Sequence, residues 1–270
     1  MDILITGGHG FIGSQLNIYF TQMGHRVSNH PRGALIPVDN TYDVIINLAG
    51  HALNKNRWNA KIKQLMYGSR IETTQHIIDY IQQAPVKPTL LLSGSAIGYY
   101  EAENTFAHKL CADWESKARE AEKYGVRVCL MRTGIVLGKN GGALSTMVLP
   151  FKMGLGAQLG EGSQWMSWIH MQDWIGIADY LIHHEELSGA INFTAPNPVT
   201  HKEFVQTLAK VLHRPCLFKF PRWLVKILFG EMGEELLLKG EKVLPDQIIK
   251  AGYQFKYERL EKALRNIFSG

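Results

Sequence analysis

The chain has 270 residues, 46% of them hydrophobic and 20% charged, and a formal net charge of +5. That length and balance fit a globular protein with a sizeable core and exclude a disordered or low-complexity chain. The basic excess is dispersed, without a basic run carrying interleaved aromatics, so an anionic small ligand suits it and a nucleic-acid partner is not expected.

Residues 1–6 form a short apolar run, enough for one buried strand, and glycines stand at 7, 10 and 13 immediately after it. The next residues place Ile12, Leu16, Tyr19, Phe20 and Met23 on one face of a helix. Strand, glycine turn and helix in that order point to a dinucleotide phosphate site. Gly7 lets the strand turn sharply, Gly10 lets the backbone approach a pyrophosphate, and Gly13 lets the helix pack close on the sheet. The helix N-terminus then offers amide donors and the positive end of its dipole.

A second strand is predicted over 26–29. In such folds an acid at this strand end binds the ribose of NAD, whereas an arginine receives the 2′-phosphate of NADP. No acid occurs from Ile3 through Val38, and the strand runs into His30, Pro31 and Arg32. NADP(H) is therefore expected over NAD, with Arg32 as phosphate partner; a solvated loop arginine is the plainer alternative. A third strand over 43–47 leads into Leu48, Ala49 and Gly50, residues small enough to pass beside an adenosine. A polar amphipathic stretch over 54–67 precedes a helix over 69–83, which Pro85 and Pro88 end. Strands over 89–93 and 126–132 flank a helix beginning near Thr105, so βαβ units and a parallel sheet are expected. Residues 134–162 are rich in glycine and read as loops. Asp173 is a candidate cap for a helix carrying Ile177 and Leu181, and one more strand is expected over 189–193. Thr200 and Glu203 have capping-box spacing, and helices follow to the end. The resulting architecture is an α/β doubly wound parallel sheet over 1–195, with a small, mostly helical substrate-side domain over 196–270.

The three cysteines show no paired or metal-ligand spacing, nor do the eleven histidines, so no metal is expected. Reduced thiols, no leader-like start and no stretch able to span a bilayer give the expectation of a cytoplasmic protein without a membrane partner.

Taken in order, segments 6–13, 47–50, 93–100, 132–138 and 168–173 resemble the extended short-chain dehydrogenase/reductase superfamily. Segments 69–74, 154–156, 164–170, 195–200 and 244–245 resemble, within it, the NAD(P)-dependent epimerase/dehydratase subfamily with its own C-terminal domain. The resemblance covers essentially the whole chain. It implies a pyrophosphate site at Gly7, Gly10, Phe11, Ile12 and Gly13, and an adenosine passage at Leu48, Ala49 and Gly50. Arg70 falls where relatives carry an asparagine near the cofactor; a surface arginine paired with Glu72 or Asp79 is the alternative. Ser95 matches the catalytic serine that orients the substrate oxygen. The pattern breaks at the Tyr-x-x-x-Lys site: Lys109 is present, matching a ribose-binding lysine or else a helix-surface lysine, but Thr105 stands where the tyrosine should be. Tyr99 and Tyr100 are the nearby phenols, with packing as their plainer role. His170 and Asp173 fall where relatives place a pair near the substrate; for His170, among tryptophans, a hydrogen-bonded structural role is the plainer reading, and it is not taken as catalytic. The activity implied is hydride transfer on a small polar, possibly sugar-derived molecule; an NADP(H)-responsive regulatory protein without catalysis is the alternative.

Overall fold

The computed structural model describes every residue except Arg32, residues 54–56 and Gly270. The chain opens with β1 (Asp2–Thr6), α1 (Phe11–Gln22), β2 (Arg26–His30), β3 (Val44–Asn47), α2 (Ala60–Gln83), β4 (Leu90–Ala96), α3 (Phe106–Arg119) and β5 (Arg127–Thr133). It continues through β6 (Ile135–Leu137), α4 (Gly142–Lys152), β7 (Ala157–Leu159), β8 (Trp165–Met166), β9 (Trp168–His170), α5 (Met171–His183) and β10 (Gly189–Phe193). The last elements are β11 (Val199–Thr200), α6 (His201–Leu212), β12 (Phe218–Phe220), α7 (Arg222–Met232), α8 (Asp246–Lys250) and α9 (Leu260–Phe268).

The main sheet is six-stranded, in the order β2-β1-β3-β4-β5-β10. β1 pairs in parallel with both β2 and β3, and β3 with β4. Side chains alternate along a strand, so Leu4, Ile45, Leu91 and Leu130 share a face. Ile77, Ile78 and Ile81 of α2 and Ala118 of α3 cover it. On α1 the buried residues are Gly13, Leu16 and Phe20, while Met23 is exposed, so the helix buries a narrower stripe than its apolar pattern implies.

The chain folds into two compact units. The first comprises Met1–Leu53, Asn59–Arg132 and Ile175–Ile191; the second is built mainly from Thr133–Trp174 and Asn192–Gly270. The boundary read from the sequence, between 195 and 196, falls inside the second unit. That unit has its own core, in which Trp168, Phe204, Leu208, Leu260 and Leu264 pack with Leu144 and Phe151. No described helix is long and apolar enough to cross a membrane.

Three local expectations are corrected. α2 is one helix of 24 residues rather than a helix beginning at 69. Asn59 caps it by accepting from the Ile62 amide, and buried Met66 anchors the early turns despite Gly68. The glycine-rich stretch 134–162 holds β6, α4 and β7, because Leu144 and Phe151 find a core to enter. Asp173 does not cap α5. It lies within the first turn, fully buried, and its carboxylate accepts from the amides of Lys256 (2.7 Å) and Tyr257 (2.9 Å), pinning the distant C-terminal segment. The Thr200–Glu203 capping box is present as read.

His170, on β9, lies against the Tyr257 ring at 3.9 Å between centroids, and its Nδ1 accepts from the Gln172 amide at 3.1 Å. Burial pulls His170 and His201 from 6.5 down to about 4, so the fold holds both rings neutral. Between those values the unfolded chain takes up protons that the folded chain refuses, and stability falls as the solution is acidified. Denaturant unfolding should therefore show a falling free energy from pH 6.5 towards 4, and His201→Gln should flatten that dependence. A pH-independent unfolding free energy across that range would contradict the burial account.

Candidate functional site

The turn after β1 is built from backbone alone. Gly7 has φ +75°, and a Cβ there would lie 2.7 Å from the Leu48 carbonyl oxygen. The Gly10 amide donates to Gly7 O at 2.9 Å, closing the turn. A Cβ on Gly13 would come within 2.4 Å of the same Gly7 oxygen, so Gly13 lets α1 close down on the turn itself. Asn17 fixes the arrangement from α1, donating to Gly8 O (2.9 Å), Gly13 O (3.0 Å) and Asn29 Oδ1 (3.0 Å). At the head of the helix, Gly10 supplies no side-chain cap and the first turn carries no acid. Phe11 and Ile12 thus begin a helix whose positive end is open to an anion.

A cleft of about 350 Å³ opens here, walled by Thr6–Gly10 after β1, Leu48–Gly50 after β3, and His30 and Pro31 at the end of β2. The chain leaves β1 towards β2 on one side and takes up β3 on the other, so the cleft lies at the switch point of the sheet. The structure thus brings together Gly7, Gly10, Leu48, Ala49 and Gly50 in one lining. Arg32 lies outside the described residues.

Beneath the cleft lies a polar network that sequence reasoning missed. Asn47 Oδ1 accepts from Thr6 Oγ1 at 2.7 Å, and Asn47 Nδ2 donates to Thr74 Oγ1 at 2.9 Å. Trp114 Nε1 donates to the same hydroxyl at 3.0 Å, and Thr74 donates to Arg70 O at 2.7 Å. Arg70 is buried rather than a surface helix residue. Its Nη1 donates to Met66 O (2.9 Å) and His51 O (3.2 Å), and its guanidinium carbon would lie 2.8 Å from a Cβ on Gly50. Arg70 therefore props the 48–51 loop from below instead of lining the cleft.

At the end of β4, buried Ser95 donates its hydroxyl to Glu115 Oε1 at 2.6 Å. Glu115 holds Arg132 through two bonds, Nε to Oε1 and Nη2 to Oε2, both 2.8 Å. Arg132 Nη1 donates to the Tyr100 hydroxyl at 3.0 Å, and the guanidinium sits 3.5 Å from the Tyr99 ring centroid. Burial alone would lower the Arg132 pKa, but the hydrogen bonds with Glu115 and Tyr100 outweigh it and raise it above its ordinary value. Burying this ion pair costs desolvation, which the bidentate geometry and cation–π stacking offset. The signal for Glu115 was an acid on the apolar side of a helix together with an arginine ending a buried strand.

Thr105 is the N-cap of α3: its hydroxyl accepts from the His108 amide (3.2 Å) and donates to Ala102 O (2.7 Å). That explains its presence where a tyrosine was expected. Lys109 is exposed on the first turn of α3 and is not in the lining of the cleft. His170 and Asp173 are both committed to packing within the second unit. Among the described residues no cluster able to hold a metal is found. The cysteines are free, and burial pushes the Cys111 and Cys129 thiols up to about 11, so they are not nucleophiles.

Parallel sheet, glycine turn and a cleft at the switch point define a doubly wound protein of the Rossmann class. The chain belongs to the NAD dependent epimerase/dehydratase family, whose model matches residues 3–193. A second model, Domain of unknown function (DUF1731), matches residues 220–267. Epimerase family protein SAR0825 of Staphylococcus aureus is 36% identical over 297 residues, spanning 98% of both chains. The Arabidopsis thaliana protein named epimerase family protein SDR39U1 homolog, chloroplastic, is 35% identical over 99% of this chain and 86% of its own. The crystal structure of human epimerase family protein SDR39U1 (isoform2) with NADPH matches with a TM-score of 0.90 and 32% identity, covering 100% of this chain and 99% of that one.

Glu115→Ala should destabilise the protein by about 3–5 kcal/mol, because a buried guanidinium loses its carboxylate. Urea unfolding measures this, and a loss under about 1 kcal/mol would mean that water replaces the carboxylate.

Proposed function

We propose that this protein binds NADP(H) in the glycine-turn cleft and carries out hydride transfer on a small polar, possibly sugar-derived substrate. The observation that carries the reading is the bare backbone at the head of α1, where glycines 7, 10 and 13 leave amide donors with no side chain over them. Gly7, Gly10, Phe11, Ile12 and Gly13 would hold the pyrophosphate, and Leu48, Ala49 and Gly50 would flank the adenosine. The absence of an acid from Ile3 through Val38 favours NADP over NAD, and the human relative was crystallised with NADPH. Arg32 is assigned the 2′-phosphate on sequence grounds.

When bound, the nicotinamide would supply the hydride chemistry; the chain must orient the reacting oxygen and move its proton. Ser95 directs its hydroxyl hydrogen to Glu115, which leaves its lone pairs for a substrate hydroxyl. Thr105 is committed to capping α3 and is a poor acid in any case. Tyr100 joins the Ser95 network through Arg132, and takes the part of the missing tyrosine. The second reading, an NADP(H)-responsive regulatory protein without turnover, draws its support from the capping role of Thr105.

Titration of the purified chain with NADPH and NADH tests binding, and nicotinamide absorbance on adding pooled sugar nucleotides and carbonyl compounds tests turnover. Gly10→Val should abolish NADPH binding, since its Cβ would start only 3.1 Å from Gly7 O and its methyls would cover the amides; unchanged affinity would sink the site assignment. Given turnover, Tyr100→Phe should lower kcat by about 10²-fold or more with little change in NADPH affinity. Thr105→Ala should leave kcat alone and cost about 1 kcal/mol of stability. The reverse pattern would return the proton to Thr105. Tight binding with no turnover across the pools would favour the regulatory reading.

A further inference from the structure

Within the second unit, α7 carries apolar side chains on two faces. Val225 and Met232 are buried and anchor the helix, yet Trp223 and Ile227, one turn apart, are each 62% exposed. A helix that is apolar on its outer side as well as its inner one expects cover there. The exposed apolar surface continues past the helix. Leu217, 81% exposed, and Phe218 lead into β12, whose pairing with β7 sets Phe218 beside Ala157. Exposed Met153 and Leu155 lie on the approach to β7. Arg214 ties the two approaches together, its Nε donating to Lys152 O at 3.1 Å. At the other end the Gly160 amide donates to Phe220 O at 2.8 Å, just before α7 begins. One apolar strip therefore runs from the end of α4 across β7 and β12 to α7.

The charges along this strip have one sign. From Phe204 to Gly230 there is no acid, while Lys210, Arg214, Lys219, Arg222 and Lys226 are five cations. At intervals of three to five residues they do not read as a basic run, and the fold adds Lys152 beside them. Lys210, Lys219 and Lys226 each pair with an acid from elsewhere in the chain: Glu261, Glu161 and Glu234. Lys152, Arg214 and Arg222 are exposed and form no ion pair among the described residues.

The charge decides what covers the strip. A second copy of the chain is disfavoured, because a two-fold interface lays the strip on itself and sets its cations against one another. An anionic surface meets both features at once. Tryptophan, phenylalanine and leucine interleaved with lysine and arginine suit a lipid interface, where rings settle at the headgroup level and basic stems reach the phosphates. We infer that this face of the second unit docks on an anionic lipid surface. Leu217, Trp223 and Ile227 enter the headgroup layer, and Lys152, Arg214 and Arg222 meet its phosphates. No described helix is able to cross a bilayer, and none is needed, since contact is made from one side. The inference stands apart from the NADP(H) reading and replaces the expectation of a chain without a membrane partner.

The test is flotation of the full chain with vesicles of phosphatidylcholine alone and of phosphatidylcholine mixed with phosphatidylglycerol. The parent should bind the mixed vesicles, release them as salt is raised, and bind the neutral ones far less. Trp223→Ser/Ile227→Ser should bind the mixed vesicles about tenfold or more weakly, and so should Lys152→Gln/Arg222→Gln. All four side chains are exposed, so both variants should keep the parent's thermal midpoint. A parent that leaves both kinds of vesicle alone, or variants that bind as the parent does, overturns the inference. So does a DNA oligomer or polyglutamate bound as tightly as the mixed vesicles. A parent that sediments as a dimer and becomes a monomer with Trp223→Ser/Ile227→Ser overturns it too, because the face would then join two copies of the chain.

Discussion

One buried hydroxyl ties together the elements under the cleft. Thr74 Oγ1 accepts from Asn47 on β3 and Trp114 on α3, and donates to the Arg70 carbonyl within α2. Asn47 passes the connection on to Thr6 at the end of β1. A threonine hydroxyl has one proton and two lone pairs, and all three are used. A valine of nearly the same shape would strand an amide and an indole N–H in a dry interior, each costing about 1–3 kcal/mol. The strand ends that shape the cleft are thus held in register by a group that touches no ligand. Pairing of β1 with β3 sets their height, and the Thr74 hub sets how α2 and α3 lie beneath them.

The same economy separates support from chemistry around Ser95. In the superfamily pattern a serine, a tyrosine and a lysine act together. Here the serine is bonded to a glutamate from α3, the tyrosine position has become a helix cap, and the lysine is exposed. Arg132, from a different strand, brings a phenol back to the cluster. The cation both neutralises Glu115 and holds Tyr100, so charge balance inside the core and placement of the hydroxyl are one arrangement.

Legibility in the sequence followed the range of each interaction. Strand, turn and first helix were readable because glycine spacing and apolar periodicity are local, and β3 leading into 48–50 was readable for the same reason. The N-terminal turns of α2 were not, because polar residues and Gly68 mask a helix that tertiary packing stabilises. The 134–162 stretch misled through its glycines, whose neighbours Leu144 and Phe151 enter a core assembled from residues far along the chain. Asp173 looked like a cap because caps are local, yet its carboxylate answers amides 83 and 84 residues away. Thr105 stands out in the sequence as a departure from the pattern, and the His108 amide it caps gives it a local role. The Ser95–Glu115–Arg132 network joins two strands and a helix, and no spacing rule reaches across that distance.

Arg70 occupies the space where a side chain at position 50 would begin. The two positions therefore do not vary independently. A methyl group at 50 would meet the end of the Arg70 side chain and require the guanidinium to shift, whereas a shorter side chain at 70 would leave room for one and would at the same time release the 48–51 loop it supports. A side chain at 50 therefore comes at the expense of the bonds by which Arg70 holds the 48–51 loop. The glycine is kept less by its own backbone than by the neighbour that has grown into its place.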